Sequence, residues 1–156
     1  IVPPTVRCEG PMGVGSLQLF VPCDFDIHYF HILEDPINQL TLQKVCLFDY
    51  VANSTDRKGG HCLLSNDGKV WAIDNGLTFH VDFKLRTVIW DWAGLEIPEE
   101  LLSDLRSFIE RPVNDNLSSL LTGDEVAAMM HRARGLIHAG HFPSDHSGTR
   151  YPWPVI

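Results

Sequence analysis

Two aspartates, Asp56 and Asp74, stand eighteen positions apart, with Arg57 beside the first and Asn75-Gly76 after the second. His61 follows Asp56 by five positions. Between them, two short apolar runs flank Asn66-Asp67-Gly68, a strong hairpin signal, so the aspartates are expected to fold back toward each other. One Asp on a loop can orient and deprotonate an attacking hydroxyl. A second, at the end of a strand before a glycine, can hold magnesium against phosphates. Gly76 is expected to supply a sharp turn beside that metal, and a side chain five positions after the first Asp can reach the same ion. Singly, each motif is bland: Asp56-Arg57 reads as a turn with a surface ion pair, and Asp74-Asn75-Gly76 as a plain turn. Together and in order, with a hairpin between, they suit phosphoryl transfer.

The elements that must position these residues follow from local pattern. Gly10 to Gly15 is a turn-rich connector, and the run from Ser16 to Pro22 predicts a short buried strand that stops at the proline. Residues 23–34 suggest a loop or short helix. Asp35-Pro36 starts a helix with the acid as cap and Pro at the first position. Ile37, Leu40, Val45, Leu47, Phe48 and Val51 share one side of it, Leu42 falls off that stripe, and the helix ends near Asn53. A polar loop, residues 53–60, leads to two short strands, residues 61–65 and 69–74. Residues beyond Gly76 are irregular through Trp92. Pro98-Glu99-Glu100 opens a second helix with its acids in the first turn and a core stripe from Leu101 to Ile109. Thr122 with Glu125 forms a capping box for a third helix, with Met129 and Met130 as core filler and Gly140 as its stop. The proline-bearing tail is an irregular strap. The outline is α+β, mostly helical with a small sheet, in a single domain over residues 1–156.

Composition bounds the function. The 156 residues are 44% hydrophobic and 21% charged, an ordinary globular balance. Acidic residues outnumber basic ones 20 to 12, for a net charge of −8 and a pI near 5.3. That excludes a general nucleic-acid binder, which needs a basic footprint, and docking on anionic lipid through charge alone. No apolar run has the length of a membrane span. The start at Ile1-Val2-Pro3-Pro4 reads as a chain joined partway. Four scattered cysteines, at 8, 23, 46 and 62, read as reduced thiols of a cytoplasmic protein. Neither His28 with His31 nor His61 with Cys62 has the paired spacing of structural zinc.

Three blocks resemble the phosphatidylinositol 3- and 4-kinase superfamily, most closely the type II phosphatidylinositol 4-kinases and their small actinobacterial relatives. Val2 to Val6 resembles the segment entering the central strand. Gly15 to Val21 resembles the strand and hinge of the adenine pocket. Asp49-Tyr50 through Asn53-Ser54-Thr55-Asp56-Arg57, followed by Ala72 to Phe79, resembles the catalytic and metal-binding loops. The likeness covers about the first 80–95 residues, and its specificity lies in its ordering.

The resemblance implies a protein-kinase-like C-terminal lobe, with residues 1–22 as the end of an N-terminal lobe and hinge. Asp56 would be the catalytic aspartate. Asp74 would hold Mg2+, or Mn2+, together with His61, which stands where these kinases usually carry Asn. Gln18, Phe20 and Val21 would face adenine of ATP, with Leu63 and Ile73 beneath the base. Asn53 and Arg57 would brace the loop. Lys84 and Arg86 would be substrate-loop residues, facing a hydroxyl acceptor that is a lipid, a protein or a small molecule.

No Gly-rich loop or strand lysine precedes the hinge. The triphosphate clamp therefore belongs to a missing N-terminal lobe, and this chain alone is expected to be an inefficient kinase. The rival reading is a pseudokinase or nucleotide-binding regulatory module without turnover. A third is a metal-binding structural domain using His61, Cys62 and other histidines.

Overall fold

The computed structural model describes residues 1–156. Helices form where the caps predict them. We number the helices α1 (Tyr29–Ile32), α2 (Pro36–Ala52), α3 (Glu99–Glu110), α4 (Asp115–Ser118) and α5 (Gly123–Ala139), and the strands β1 (Thr5–Gly10), β2 (Gly13–Gln18), β3 (Cys62–Leu64) and β4 (Val70–Ala72). At the start of α2 the Asp35 carboxylate accepts the Ile37 N–H at 3.1 Å, with Pro36 in the first turn, where its missing N–H costs nothing. Its other end is closed by Asn53 in the left-handed conformation. On α5 the Thr122–Glu125 capping box is formed and Gly140 is left-handed, φ 67°.

The architecture is α+β, with two separate antiparallel hairpins, β1–β2 and β3–β4. Helix α5 packs against both α2 and α3. The main core joins these helices to β3–β4 and to the irregular segment after β4, whose Val88, Ile89, Trp92 and Ile97 are buried. Lacking a regular partner, that segment satisfies its backbone groups against loops: the Gly94 N–H donates to Phe142 O and the Ile97 N–H to Gly140 O. The tail straps across it, and the Thr87 N–H donates to Arg150 O. No helix is long and apolar enough to cross a membrane.

Two expectations are corrected. The run from Ser16 to Pro22 is not a buried strand. Strand β2 takes in Gly13–Gly15 of the expected connector, ends at Gln18 and is exposed along nearly all its length, and of the apolar run only Val21 is buried. The physical reason is that β1 and β2 pair only with each other and no second layer covers either face.

On α2, Leu42 is fully buried while Ile37 is 81% exposed. The buried side runs through Asn38, Leu42, Val45, Cys46, Asp49 and Ala52. Two of those positions are polar, so a hydrophobic pattern alone aims the stripe to the wrong side.

All four cysteines are free thiols. Burial pushes Cys62 up to about 12 and raises Cys46 further. A thiol reagent should therefore modify exposed Cys8 quickly, half-buried Cys23 slowly, and Cys46 and Cys62 only after denaturation. Four equal rates in the native protein would contradict this packing.

Candidate functional site

Arg57 is fully buried, and its guanidinium organises the site. Nε donates to both oxygens of Asp49 at 3.0 Å, and Nη2 donates to Oδ1 at 2.9 Å. Nη1 donates to the carbonyl of Ile73 at 2.6 Å, and Nη2 also reaches Oδ1 of Asn75. One side chain thus ties the end of α2 to the loop bearing Asp56 and to the turn bearing Asp74. Burial pushes the Asp49 carboxyl upward; Arg57 and the Thr87 hydroxyl, 3.2 Å away, oppose that shift. Asp49 in turn holds Arg57 above its ordinary value, so the guanidinium stays charged. The partner of Arg57 is thus Asp49 in a fully buried ion pair, not the adjacent Asp56 in a surface one.

The loop from Asn53 to Arg57 runs between two neighbours. On one side the Thr55 N–H and hydroxyl both donate to Leu77 O, at 3.0 and 3.1 Å. On the other, the Arg86 N–H donates to Ser54 O, the Arg57 N–H to Arg86 O and the Val88 N–H to Arg57 O, a short parallel ladder. Asn53 is buried with its amide saturated: Nδ2 donates to His80 O and Asp82 O, and Oδ1 accepts the Lys84 N–H, all within 2.8 Å. Arg132 of α5, also buried, donates to Val51 O at 2.9 Å and His80 O at 3.4 Å. Asn53 and Arg57 both brace these loops through their hydrogen bonds.

Three non-glycine residues have positive φ: Asn53 (58°), Asp74 (54°) and Phe79 (66°). All lie at the ends of these two loops. Such backbone costs about 1–3 kcal/mol per residue and persists where surrounding bonds over-determine it. The sharp turn expected of Gly76 is made by Asp74 itself; Gly76 has no positive φ, and a Cβ there would meet nothing within 4 Å.

His61 lies in a single 3₁₀ turn, Gly59–His61. Its Nε2 stands 3.4 Å from Oδ2 of Asp74, and its Nδ1 accepts the Lys58 N–H at 3.3 Å. Burial lowers its pKa, an effect that Asp74 opposes and Arg57 adds to. The neutral ring therefore carries its proton on Nε2, facing Asp74. In that tautomer neither nitrogen offers a free lone pair, and ligation of a metal requires loss of the Nε2 proton. Asp56 is half-buried, with Oδ2 3.5 Å from the Lys58 ammonium. No group of three or more His, Cys, Asp or Glu side chains is placed to hold an ion by protein ligands alone.

Of the remaining predicted residues, Phe20 and Val21 line one recess and Lys84 and Arg86 another, whereas Gln18, Leu63 and Ile73 line neither. The segment Leu19–Pro22 borders the first, of about 310 Å³, with Ser65, Asn66, Asp67 and Trp71 opposite. It includes Phe20, 71% exposed, and buried Val21. Leu63 is buried in β3 across from Trp71, and Ile73 joins β4 to Asp74. Gln18 is turned into the first hairpin, where its Nε2 donates to the Thr5 hydroxyl at 3.0 Å. Lys84 and Arg86 line a second recess of about 470 Å³ with Thr55, Thr149 and Arg150. The Arg150 guanidinium stacks 4.7 Å from the Phe83 ring centre.

Thr87, Arg132 and Arg150 were not singled out by sequence reasoning, and Asp49 was noted only as part of a block, with no role.

The fold is a small α+β unit whose candidate site is built on a buried Arg–Asp pair between two loops. The chain is 32% identical over 192 residues to protein Rv2133c of Mycobacterium tuberculosis (strain ATCC 25618 / H37Rv), a match that takes in 100% of this chain and 69% of that protein. It belongs to the same family as Rv2133c. No family model matches the chain, and no solved structure does.

Replacing Arg57 by Met should destabilise the protein by about 3–5 kcal/mol, because Asp49 is left buried and uncompensated. The double variant Arg57→Met, Asp49→Leu should lose less than the two single variants summed. Chemical denaturation of all four proteins measures this, and strict additivity would refute the coupling.

Proposed function

We propose that this chain is the C-terminal lobe of a phosphatidylinositol-kinase-like phosphotransferase, which moves the γ-phosphate of ATP to a hydroxyl acceptor with a divalent metal. The observation that carries this reading is the convergence of the Asp56 loop, His61 and Asp74 around Arg57. Phosphoryl transfer depends on positioning and charge stabilisation more than on covalent participation, and a buried brace on Asp49, Ile73 and Asn75 supplies positioning.

In this reading Asp56 accepts the proton of the attacking hydroxyl. Asp74 contributes the protein's oxygen to the metal, and His61 orients Asp74 through its Nε2–H. Magnesium suits a site with so few protein ligands, since it keeps waters and takes substrate phosphates as ligands; manganese would fill the same place. The recess at Leu19–Pro22 receives the base, against Phe20, Val21 and Trp71. The triphosphate clamp comes from an N-terminal lobe outside this chain. The acceptor occupies the recess beside Thr55, where Lys84, Arg86 and Arg150 favour one bearing a negative group. Four free cysteines fit a reducing cytoplasm.

One observation favours the second reading, a nucleotide-binding module without turnover. Both His61 nitrogens are engaged, where the kinases that the sequence resembles place an Asn.

Calorimetry of ATP with Mg2+, then with Mn2+, on this chain and on a version extended upstream tests nucleotide binding. Metal-dependent binding that tightens with the extension and is lost in Asp74→Ala is the expected result; absence of binding by both folded versions rejects the kinase reading. For turnover, Asp56→Asn in the extended protein should lower kcat by about 10²–10⁴-fold with nucleotide affinity retained. Unchanged phosphotransfer in that variant removes Asp56 from its role, and ATP binding without ADP release selects the second reading.

A further inference from the structure

Helices α2 and α3 both pack on α5, and a cavity of about 330 Å³ lies between them. Ten of its twelve lining residues are hydrophobic, among them Leu47 and Val51 of α2, Leu105 of α3 and Met129 of α5. The ion pair of Lys44 with Asp104, 3.4 Å apart, spans the gap between α2 and α3. Asp104, Phe108 and Leu117 line both this cavity and an adjoining recess of about 460 Å³, which also carries Ser107, Asn114 and Arg111. Arg111 is exposed and makes no ion pair, whereas Lys44 and Asp104 neutralise one another. The groove therefore runs from a hydrocarbon-lined interior to a mouth with one uncommitted guanidinium.

We propose that this groove binds a single-chain anionic amphiphile, of the long-chain carboxylate type, with its alkyl tail among Leu47, Val51, Leu105 and Met129 and its carboxylate at Arg111. The volume falls in the range of small-ligand sites, and their usual pattern is an apolar lining with a few polar groups that fix orientation. A guanidinium offers a carboxylate two parallel hydrogen bonds, so the mouth selects charge sign as well as shape. Ala52 and Phe79 also line the cavity, and the Phe79 N–H donates to Ala52 O at 2.6 Å. The tail thus ends against the residues from which the Asp56 loop departs and at which the Asp74 turn closes. The proposal does not depend on the phosphotransfer reading, because its test reads binding alone.

Dodecanoate, used below its micelle concentration, is the probe, and dodecyltrimethylammonium is the charge-reversed control. Calorimetry should show saturable binding of one dodecanoate per chain, weakened at least tenfold in Arg111→Glu and lost in Leu117→Glu. Both substitutions are at positions that are not fully buried, and a retained far-ultraviolet spectrum confirms folding. The chain has three methionines, and fully exposed Met12 is a built-in reference. With ¹³C-labelled methionine methyls, dodecanoate should shift Met129 and leave Met12 unmoved. Equal binding of the cationic control, unchanged affinity in Arg111→Glu, or a Met129 signal that does not move would overturn the proposal.

Discussion

A guanidinium sealed from water has to be compensated by everything around it, and Arg57 is sealed completely. Its five donors allow no free choice of neighbours. Asp49 must approach from α2, the Ile73 carbonyl must turn inward after β4, and Asn75 must present its oxygen. Because desolvation of either charge alone is so costly, the end of α2, the Asp56 loop and the Asp74 turn are energetically coupled through one side chain. A buried ion pair is weak as a source of stability, yet it suits a site that needs three loops in one register.

The second consequence is strain confined to useful places. The chain enters the left-handed region at Asn53, Asp74 and Phe79, all at the boundaries of the same two loops. Asn53 holds that conformation with a fully satisfied amide, and Phe79 with a backbone bond to Ala52. Asp74 is held through its neighbours, since Ile73 O and Asn75 Oδ1 both receive Arg57. The side chain that meets His61 is therefore carried on a backbone with little freedom. That is the preorganisation a charge-stabilising site requires.

The first hairpin shows the opposite condition. Its strands are paired only with each other and both faces are open to solvent. Two-stranded ribbons of this kind contribute little stability by themselves. The body of the molecule is held instead by the helices, by β3–β4 and by a tail whose carbonyls at Arg150 and Val155 accept from Thr87 and Gly59. The Gly59 position is close-packed: a Cβ there would lie 3.3 Å from the Val155 carbonyl and 3.2 Å from the Phe30 ring. The tail strap thus reaches the turn that carries His61.

Much of this was legible in the residues. Caps at Asp35 and Thr122, the stop at Gly140, the turn at Asn66-Asp67-Gly68 and the stripe of α3 are local signals, decided within a few residues by hydrogen bonding and side-chain period. The order Asp56-Arg57, hairpin, Asp74-Asn75 was likewise enough to bring the two aspartates to one region. Local pattern failed where the deciding partner is distant in sequence. Leu42 is buried because α2 turns a partly polar side to the core, with Asp49 matched by Arg57 and Thr87. Ser16 to Phe20 is exposed because nothing covers it. The His61 tautomer follows from a backbone N–H at Lys58 and a carboxylate thirteen residues away. What the sequence determined by itself was the three long helices, the hairpin turn and the identity of the chemical groups. Only the tertiary structure decided which of those groups are desolvated, and desolvation is what converts an aspartate and an arginine from a surface pair into the centre of a site.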